Sequence, residues 1–439
     1  MNTLPFDEYS DIVKGTETIK RCGIVRQSRG LLIESRGPQA SIGEICRIDM
    51  GERKKVLTEV VGFHDKHLLL MPLGDLDGIA PGMKVSATGS HYMVNVGPGL
   101  LGRVLDGFGK PIDGKGPIDV TGSLPLVGEK INPLVRNRIT SPLWTQIRAV
   151  DGVVTIGKGQ RIGIFAGSGV GKSILLGMIA RNVVADVNVI ALIGERGREV
   201  REFLENDLGE IGLARSVVVV VTSDMPAILR LQGMKVALTI AEYFRGLGQD
   251  VVMMMDSITR VAMAQREVGL SAGEPPTTKG YTPSVLALMP KILERAGASD
   301  KGTITGIYAV LVEGDDVNEP VSDMVRSIID GHIVLSRKLA NRAHYPAIDI
   351  LQSISRVQKD VIDSRHKKLV ARLIEMYADY SDAEDLINIG AYAKGSNPRI
   401  DRAINRIEAI NEYLRQDIDD STPPEEALTL LENAVGGTE

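Results

Sequence analysis

Residues 161–185 read RIGIFAGSGVGKSILLGMIARNVVA, and the rest of the chain is best understood outward from them. Ile162, Ile164 and Phe165, set among small residues, suit a buried strand. A glycine-rich turn follows from Ala166 to Gly171. Lys172 and Ser173 then lead into a helical pattern with Ile174, Leu175, Met178 and Ile179 on one face. Strand, loop and helix around A-x-x-x-x-G-K-S are the context of a phosphate-binding P-loop. Glycines let backbone N–H groups converge on phosphate oxygens, and the helix start adds unsatisfied donors and a positive dipole end. The strict pattern has Gly where Ala166 stands, and the plain alternative is a tight turn with no ligand. The GKS ending and the flanking elements favour nucleotide. Candidate binding residues are Gly167, Ser168, Gly169, Val170, Gly171, Lys172 and Ser173, with Lys172 on the β- and γ-phosphates of ATP and the Ser173 hydroxyl on Mg²⁺.

A chain of 439 residues predicts two or three domains. Its 43% hydrophobic and 24% charged residues are those of an ordinary soluble protein. A net charge of −5 argues against broad attraction to nucleic acid. Cys22 and Cys46 are the only cysteines, which suggests a reducing compartment rather than a disulfide framework. His64 and His67 are the one close histidine pair, and without further ligands nearby they read as loop residues rather than a zinc site. The N-terminus lacks the apolar core of a signal peptide, and no apolar run is long enough to cross a bilayer. The expectation is a cytoplasmic protein that meets a membrane only through partners.

Between residues 22 and 89, six short β-prone runs (CGIVRQ, GLLIES, EICRID, VLTEVVGF, HLLLMP, KVSATG) alternate with Gly, Pro and Asp turns, which predicts a small antiparallel barrel. Phe63 is its only aromatic residue, whereas a nucleic-acid barrel would interleave aromatics with Lys and Arg. Gly97 to Gly102 match G-x-G-x-x-G, but turn residues follow where a dinucleotide fingerprint needs a helix, so 90–158 reads as a connecting segment. Beyond the P-loop, VNVIALI, EVREFLEND, SVVVVV, a long helix from about 226 to 248, and DVVMMMD alternate strand and helix. That alternation predicts a largely parallel sheet covered on both faces. After about residue 360 the pattern is helical. The tail beyond Arg415 holds seven carboxylates and no Lys or Arg, and is expected to be a solvated acidic end.

Two further positions carry chemistry. DVVMMMD ends in Asp256; a strand next to a P-loop places such a carboxylate beside the metal, usually through water. The alternative is an Asp capping the next helix, and both can hold. Glu195 follows the strand VNVIALI, where a carboxylate opens onto the ligand crevice and can polarise an attacking water. Arg196 is then placed to meet the γ-phosphate. Later members of the cluster (Arg198, Glu199, Arg201, Glu202) read better as an exposed, self-paired run.

AGSGVGKS, IGERGREVREF, MMMDSITRVAMAQRE, GEPPTTKGYTPSV, VEGDD, DGHIVLSR, YPAIDILQSISRV and GAYAKGSNP together resemble the rotary-type hexameric ATPases, and within them the ATPases of the flagellar type III protein export apparatus. The resemblance runs from about residue 22 to 415. It implies an α/β fold: a RecA-like P-loop domain flanked by an N-terminal β-barrel and a C-terminal helical domain. The expected division is an extension at 1–18, the barrel at 19–89, the ATPase domain at 90–360 and the helical domain at 361–439. It implies that Glu195 is the catalytic glutamate, Arg196 a phosphate-contacting arginine, Asp256 the Walker B aspartate and Arg260 a nearby arginine. Arg356 aligns with the arginine finger that a neighbouring subunit inserts, and Tyr345 with an aromatic that packs on adenine. The implied partners are five further copies in a homohexamer, membrane proteins of the export gate, peripheral regulator and stalk proteins, and export substrates with their chaperones, but no nucleic acid. The SDAEDL segment at 381–386 only weakly echoes the acidic loop with which the ATP synthase catalytic subunit meets its rotor, which argues against ATP synthase itself. The competing readings are an injectisome-type secretion ATPase, an RNA-translocating ring of the termination-helicase type, and a nucleotide-dependent scaffold. The barrel composition disfavours the RNA motor, and Glu195 with Arg356 disfavours the scaffold.

Overall fold

The computed structural model describes residues 22–51, 55–128, 131–312 and 319–436. The extension at 1–18 and the acidic residues of VEGDD therefore lie outside the described residues. The chain forms two compact units, Met1–Tyr92 with Leu270–Glu274, and Met93–Gly269 with Pro275–Glu439.

The first unit is a closed six-stranded antiparallel barrel: β1 (Cys22–Arg29), β2 (Leu32–Arg36), β3 (Ile45–Asp49), β4 (Lys55–His64), β5 (His67–Pro72) and β6 (Lys84–Ala87), in the order β1-β2-β5-β4-β3-β6. Each run expected from the sequence became one strand. Val25, Ile33, Cys46, Ile48, Val60, Leu70 and Val85 fill the interior, so alternate positions turn inward and closure leaves no free strand edge. Cys46 is buried there and Cys22 is exposed, both as free thiols.

The second unit opens with β7 (Met93–Val96), β8 (Arg103–Leu105), β9 (Gly122–Pro125), β10 (Pro142–Leu143) and β11 (Ile156–Gly157). The main sheet adds β12 (Arg161–Ala166), β13 (Val187–Ile193), β14 (Ser216–Val221), β15 (Asp250–Asp256), β16 (Gly297–Ala298), β17 (Thr303–Leu311), β18 (Gly331–Leu335) and β19 (Ile348–Ser355). Its order is β19-β18-β12-β17-β15-β13-β14-β8, with β16 on β17. From β18 to β8 the pairings are parallel, while β19 and β16 are antiparallel. Strands β13, β14 and β15 read as nearly unbroken apolar runs because both faces are covered. Ile164, Leu192, Val220, Met254 and Ile307 turn to one face, where Leu175 and Ile179 of the Lys172–Asn182 helix join them. The long helix Ala227–Gly246 packs against β13, β14 and β15.

The strand order corrects one expectation. Asp256 is not on a strand next to the P-loop: β17 lies between β12 and β15. The segment 90–158 also does more than connect, since β8 extends the sheet beside β14. No helix follows Gly97–Gly102, in keeping with the rejected dinucleotide fingerprint; Pro98–Leu100 is a single 3-10 turn.

Three helices close the chain: Ser364–Asn388, Pro398–Leu414 and Pro424–Val435. Leu369, Leu373, Ile410, Tyr413 and Leu431 enter the same apolar core as the P-loop helix. The acidic tail is thus corrected as well. Its carboxylates Glu425 and Glu426 occupy the first turn of a docked helix, where they complement the dipole, while Ala427, Leu431 and Val435 are buried. Net charge concealed a three-to-four apolar spacing.

Candidate active site

Strand β12 lies between β17 and β18, so its C-terminal end opens at the middle of the sheet. The turn after Ala166 reverses through Gly169 (φ 75°) and Gly171 (φ 92°), left-handed conformations that a side chain would strain. The helix Lys172–Asn182 begins at once, and no side chain caps its first N–H groups, which leaves them for an anion. A cleft of about 720 Å³ opens above it, lined by Gly167, Ser168, Gly169, Gly171, Lys172 and Ser173. Val170 faces inward, 1% exposed, so only its backbone belongs to the turn. The Tyr345 ring stands over Gly171, with ring carbons 3.6 Å from the place a Cβ would take.

The Lys172 ammonium contacts the Asp256 carboxylate and lies 3.9 Å from Glu195 Oε1. All three side chains are largely enclosed, at 12%, 5% and 14% exposure. Asp256 reaches the loop across β17 because the strands end at similar heights on the same edge of the sheet. Burial pushes the Glu195 carboxyl up to about 7, helped by the Asp256 charge and the Glu199 contact and opposed by Lys172. Glu199 takes the other half of that hydrogen bond: against its own desolvation, Glu195 and the nearby arginines hold it low.

Glu199 was not legible as a site residue. The self-paired surface run holds for Arg198 with Glu202 and Arg201 with Glu205. Glu199, however, is half-buried and lines the cleft. The available signal was position: Glu199 lies in the first turn of the helix that begins just after Glu195. Arg196 stands at the cleft mouth, 74% exposed and 3.3 Å from Glu199. The more enclosed cation is Arg260, which lines the cleft, packs against Gly194 and has a buried Nε without a hydrogen-bond partner. Such an orphaned donor in a basic cleft suits a polyanion.

Arg356 is not in this cleft. It follows β19, with its side chain exposed, its N–H on the Asp330 carbonyl and its Nη2 3.4 Å from the Arg326 carbonyl. Among the described residues no group of three or more His, Cys, Asp or Glu side chains could hold a metal. Ser173 and Asp256 alone suit a hard cation that keeps most of its waters and binds chiefly through phosphate. These features define a P-loop site for nucleotide phosphoanhydride hydrolysis.

Comparison with known proteins narrows this class. Residues 146–355 match the nucleotide-binding domain model of the ATP synthase alpha/beta family, residues 25–89 its beta-barrel domain, and residues 362–433 the T3SS EscN ATPase C-terminal domain. The chain is 52% identical over 437 residues to the flagellum-specific ATP synthase of Bacillus subtilis strain 168, covering 98% of each chain. It is 48% identical to the type 3 secretion system ATPase of Xanthomonas euvesicatoria, covering 94% of this chain and 93% of that one. The assembled ATPase EscN in complex with its central stalk EscO, from enteropathogenic E. coli, superposes with a TM-score of 0.88 at 44% identity, over 94% of this chain and 100% of that one. The protein belongs to the ATP synthase alpha/beta family, as an ATPase of its flagellar and type III secretion branch.

Proposed function

We propose that the chain forms a homohexameric ring whose ATP hydrolysis energises flagellar type III protein export, docking, unfolding and releasing substrates and their chaperones. The observation that carries this reading is a division of labour. Lys172, Glu195 and Asp256 meet in one enclosed cleft, while Arg356 stands outside it on the free edge of the sheet. In a ring, Arg356 completes a neighbour's site, where a finger is worth ~10³–10⁵ in rate. Glu195, ionised, orients the water that attacks the γ-phosphorus. Lys172 and Arg260 offset the charge on the phosphoryl oxygens, with Arg196 joining from the cleft mouth. Tyr345 holds the adenine. Ser173, with Asp256 through water, would hold Mg²⁺, which supplies charge neutralisation between the phosphates.

The flagellar branch is favoured by GAYAKGSNP and by the 52% identity to the Bacillus subtilis relative, while other flagellar and secretion relatives overlap at 45–48%. The proposed division is 1–18, 19–89, 90–360 and 361–439, and a stalk partner is proposed because the similar EscN was solved in complex with its central stalk EscO. No helix among the described residues is long and apolar enough to cross a membrane. The proposed place is cytoplasmic, beside the export gate, with regulator and stalk proteins as partners.

Light scattering after size exclusion, with and without a nonhydrolysable ATP analogue, read beside phosphate release tests this. Specific activity rises with protein concentration as rings assemble. A flat specific activity in a wholly monomeric sample would overturn the ring.

A further inference from the structure

Strands β18 and β19 form an antiparallel hairpin whose connecting loop, 336–347, has two working sides. Its base is closed by Ser336 N–H donating to the Ala347 carbonyl at 2.8 Å. Inside it, the helix Arg337–Ala340 is capped by Ser336, and Arg342 and His344 N–H both return to the Leu339 carbonyl. The loop is therefore a small rigid body rather than a slack connection. On one side, Arg337 and Tyr345 face the nucleotide cleft. On the other, Lys338 and Arg342 leave it in a different direction, and both end on one carboxylate.

That carboxylate is Glu384, on the long helix Ser364–Asn388. Lys338 Nζ donates to Glu384 Oε2 at 2.7 Å and Arg342 Nη1 to Oε1 at 2.6 Å. The two cations are 64% and 53% exposed, but Glu384 is only 13% exposed. Exposed pairs of this kind add little to stability. A shielded carboxylate that receives a separate donor on each oxygen does, however, fix direction. Two residues on from Glu384, Leu386 is 50% exposed, and Ile389 is 76% exposed at the end of the same helix.

We propose that Glu384 is a positioning residue for the nucleotide: by gripping Lys338 and Arg342 it sets the 336–347 loop, and so places Tyr345 and Arg337 against the bound base and phosphates. This deepens the reading of the cleft as an ATP site and rests on it. Glu384 touches no substrate. It acts on the binding side of the site and leaves Lys172, Glu195 and Asp256 where they are. Its loss therefore changes affinity and base discrimination more than turnover at saturation.

The test compares the parent with Glu384→Gln, which keeps shape and removes the charge, and with the double variant Glu384→Arg, Arg342→Glu, which restores an opposed pair. Equilibrium binding of a fluorescent ATP derivative and steady-state hydrolysis of ATP and GTP are measured in each, with melting temperature as the check on folding. Glu384→Gln is expected to raise KM and Kd for ATP about tenfold and to narrow the ATP preference over GTP. Its kcat should stay within about twofold and its melting point close to the parent's, and the double variant should recover part of the affinity. A Glu384→Gln protein with the parent's Kd, KM and ATP/GTP ratio would overturn the assignment, as would a loss confined to kcat. If the parent itself failed to bind ATP, the reading of the cleft would fall first; a parent that binds beside an unchanged variant removes only the role of Glu384.

Discussion

The ammonium of Lys172 lies 3.9 Å from the carboxylate of Glu195 and also contacts Asp256, so one cation faces two acids in an enclosed pocket. Burial raises the Glu195 carboxyl to about 7, and the neighbouring Asp256 charge adds to the rise against the opposing pull of Lys172. In the proposed mechanism, phosphate oxygens replace those carboxylates as the partners of Lys172 once a nucleotide enters.

Replacing Lys172 by Ala removes both that pairing and the cation proposed for the β- and γ-phosphates. Hydrolysis is expected to fall by at least ~10²–10³-fold, read as phosphate release at saturating ATP. Turnover within a few-fold of the parent would remove the P-loop from the mechanism.

Glu195→Gln and Arg356→Ala subunits are each expected to be inactive alone. Mixed before assembly, they should regain a fraction of the activity, because some interfaces then pair an intact Glu195 with an intact Arg356. Co-assembly shown by cross-linking without any recovery would sink the claim that Arg356 works across a boundary.

Activity should depend on the ionisation of Glu195. Because its carboxyl is raised to about 7 and must be charged to polarise water, kcat/KM is expected to be lost as pH falls through about 7. Glu199 accepts the hydrogen bond that favours the protonated form, so Glu199→Gln should move this limb to lower pH. A limb that stayed in place would detach Glu199 from the titration.

His344 precedes Tyr345 and is 3% exposed; burial, with the Arg415 charge, lowers it from 6.5 to about 4. An unfolded chain takes up the proton first, so this histidine contributes stability that is lost as pH falls between about 6.5 and 4. His344→Gln should flatten that part of a denaturation profile. An unchanged slope would mean that the ring is hydrated after all.

Leu431 is fully buried in the last helix. Leu431→Ala is expected to cost about 2–5 kcal/mol, followed by urea unfolding monitored by circular dichroism. A cost under ~0.5 kcal/mol, the level of a surface change, would restore the picture of a solvated tail.

The barrel and the P-loop were legible because their signals are local. Six alternating runs separated by turn residues each became a strand, and AGSGVGKS carries its conformation in its glycines. Sheet order was not legible: that β17 separates β12 from β15 depends on which crossover packs where, and no short stretch encodes it. Leu431 was hidden because seven carboxylates dominated a window in which apolar spacing was the better guide. Arg356 has no local mark at all. An exposed arginine after a strand becomes informative only when a second subunit is considered, and for that a resemblance to known rings was needed.

Strand β19 begins beside the loop that carries Tyr345 and runs on to Arg356 at its other end. In the ring proposed above, a single hairpin would touch two nucleotides at once, its own through Tyr345 and a neighbour's through Arg356. On that proposal, filling one pocket is expected to alter affinity at the next, and linkage would make the influence equal in both directions. Binding curves for the assembled ring should depart from those of six isolated sites, with the sign of the departure revealing whether protomers fire together or in turn.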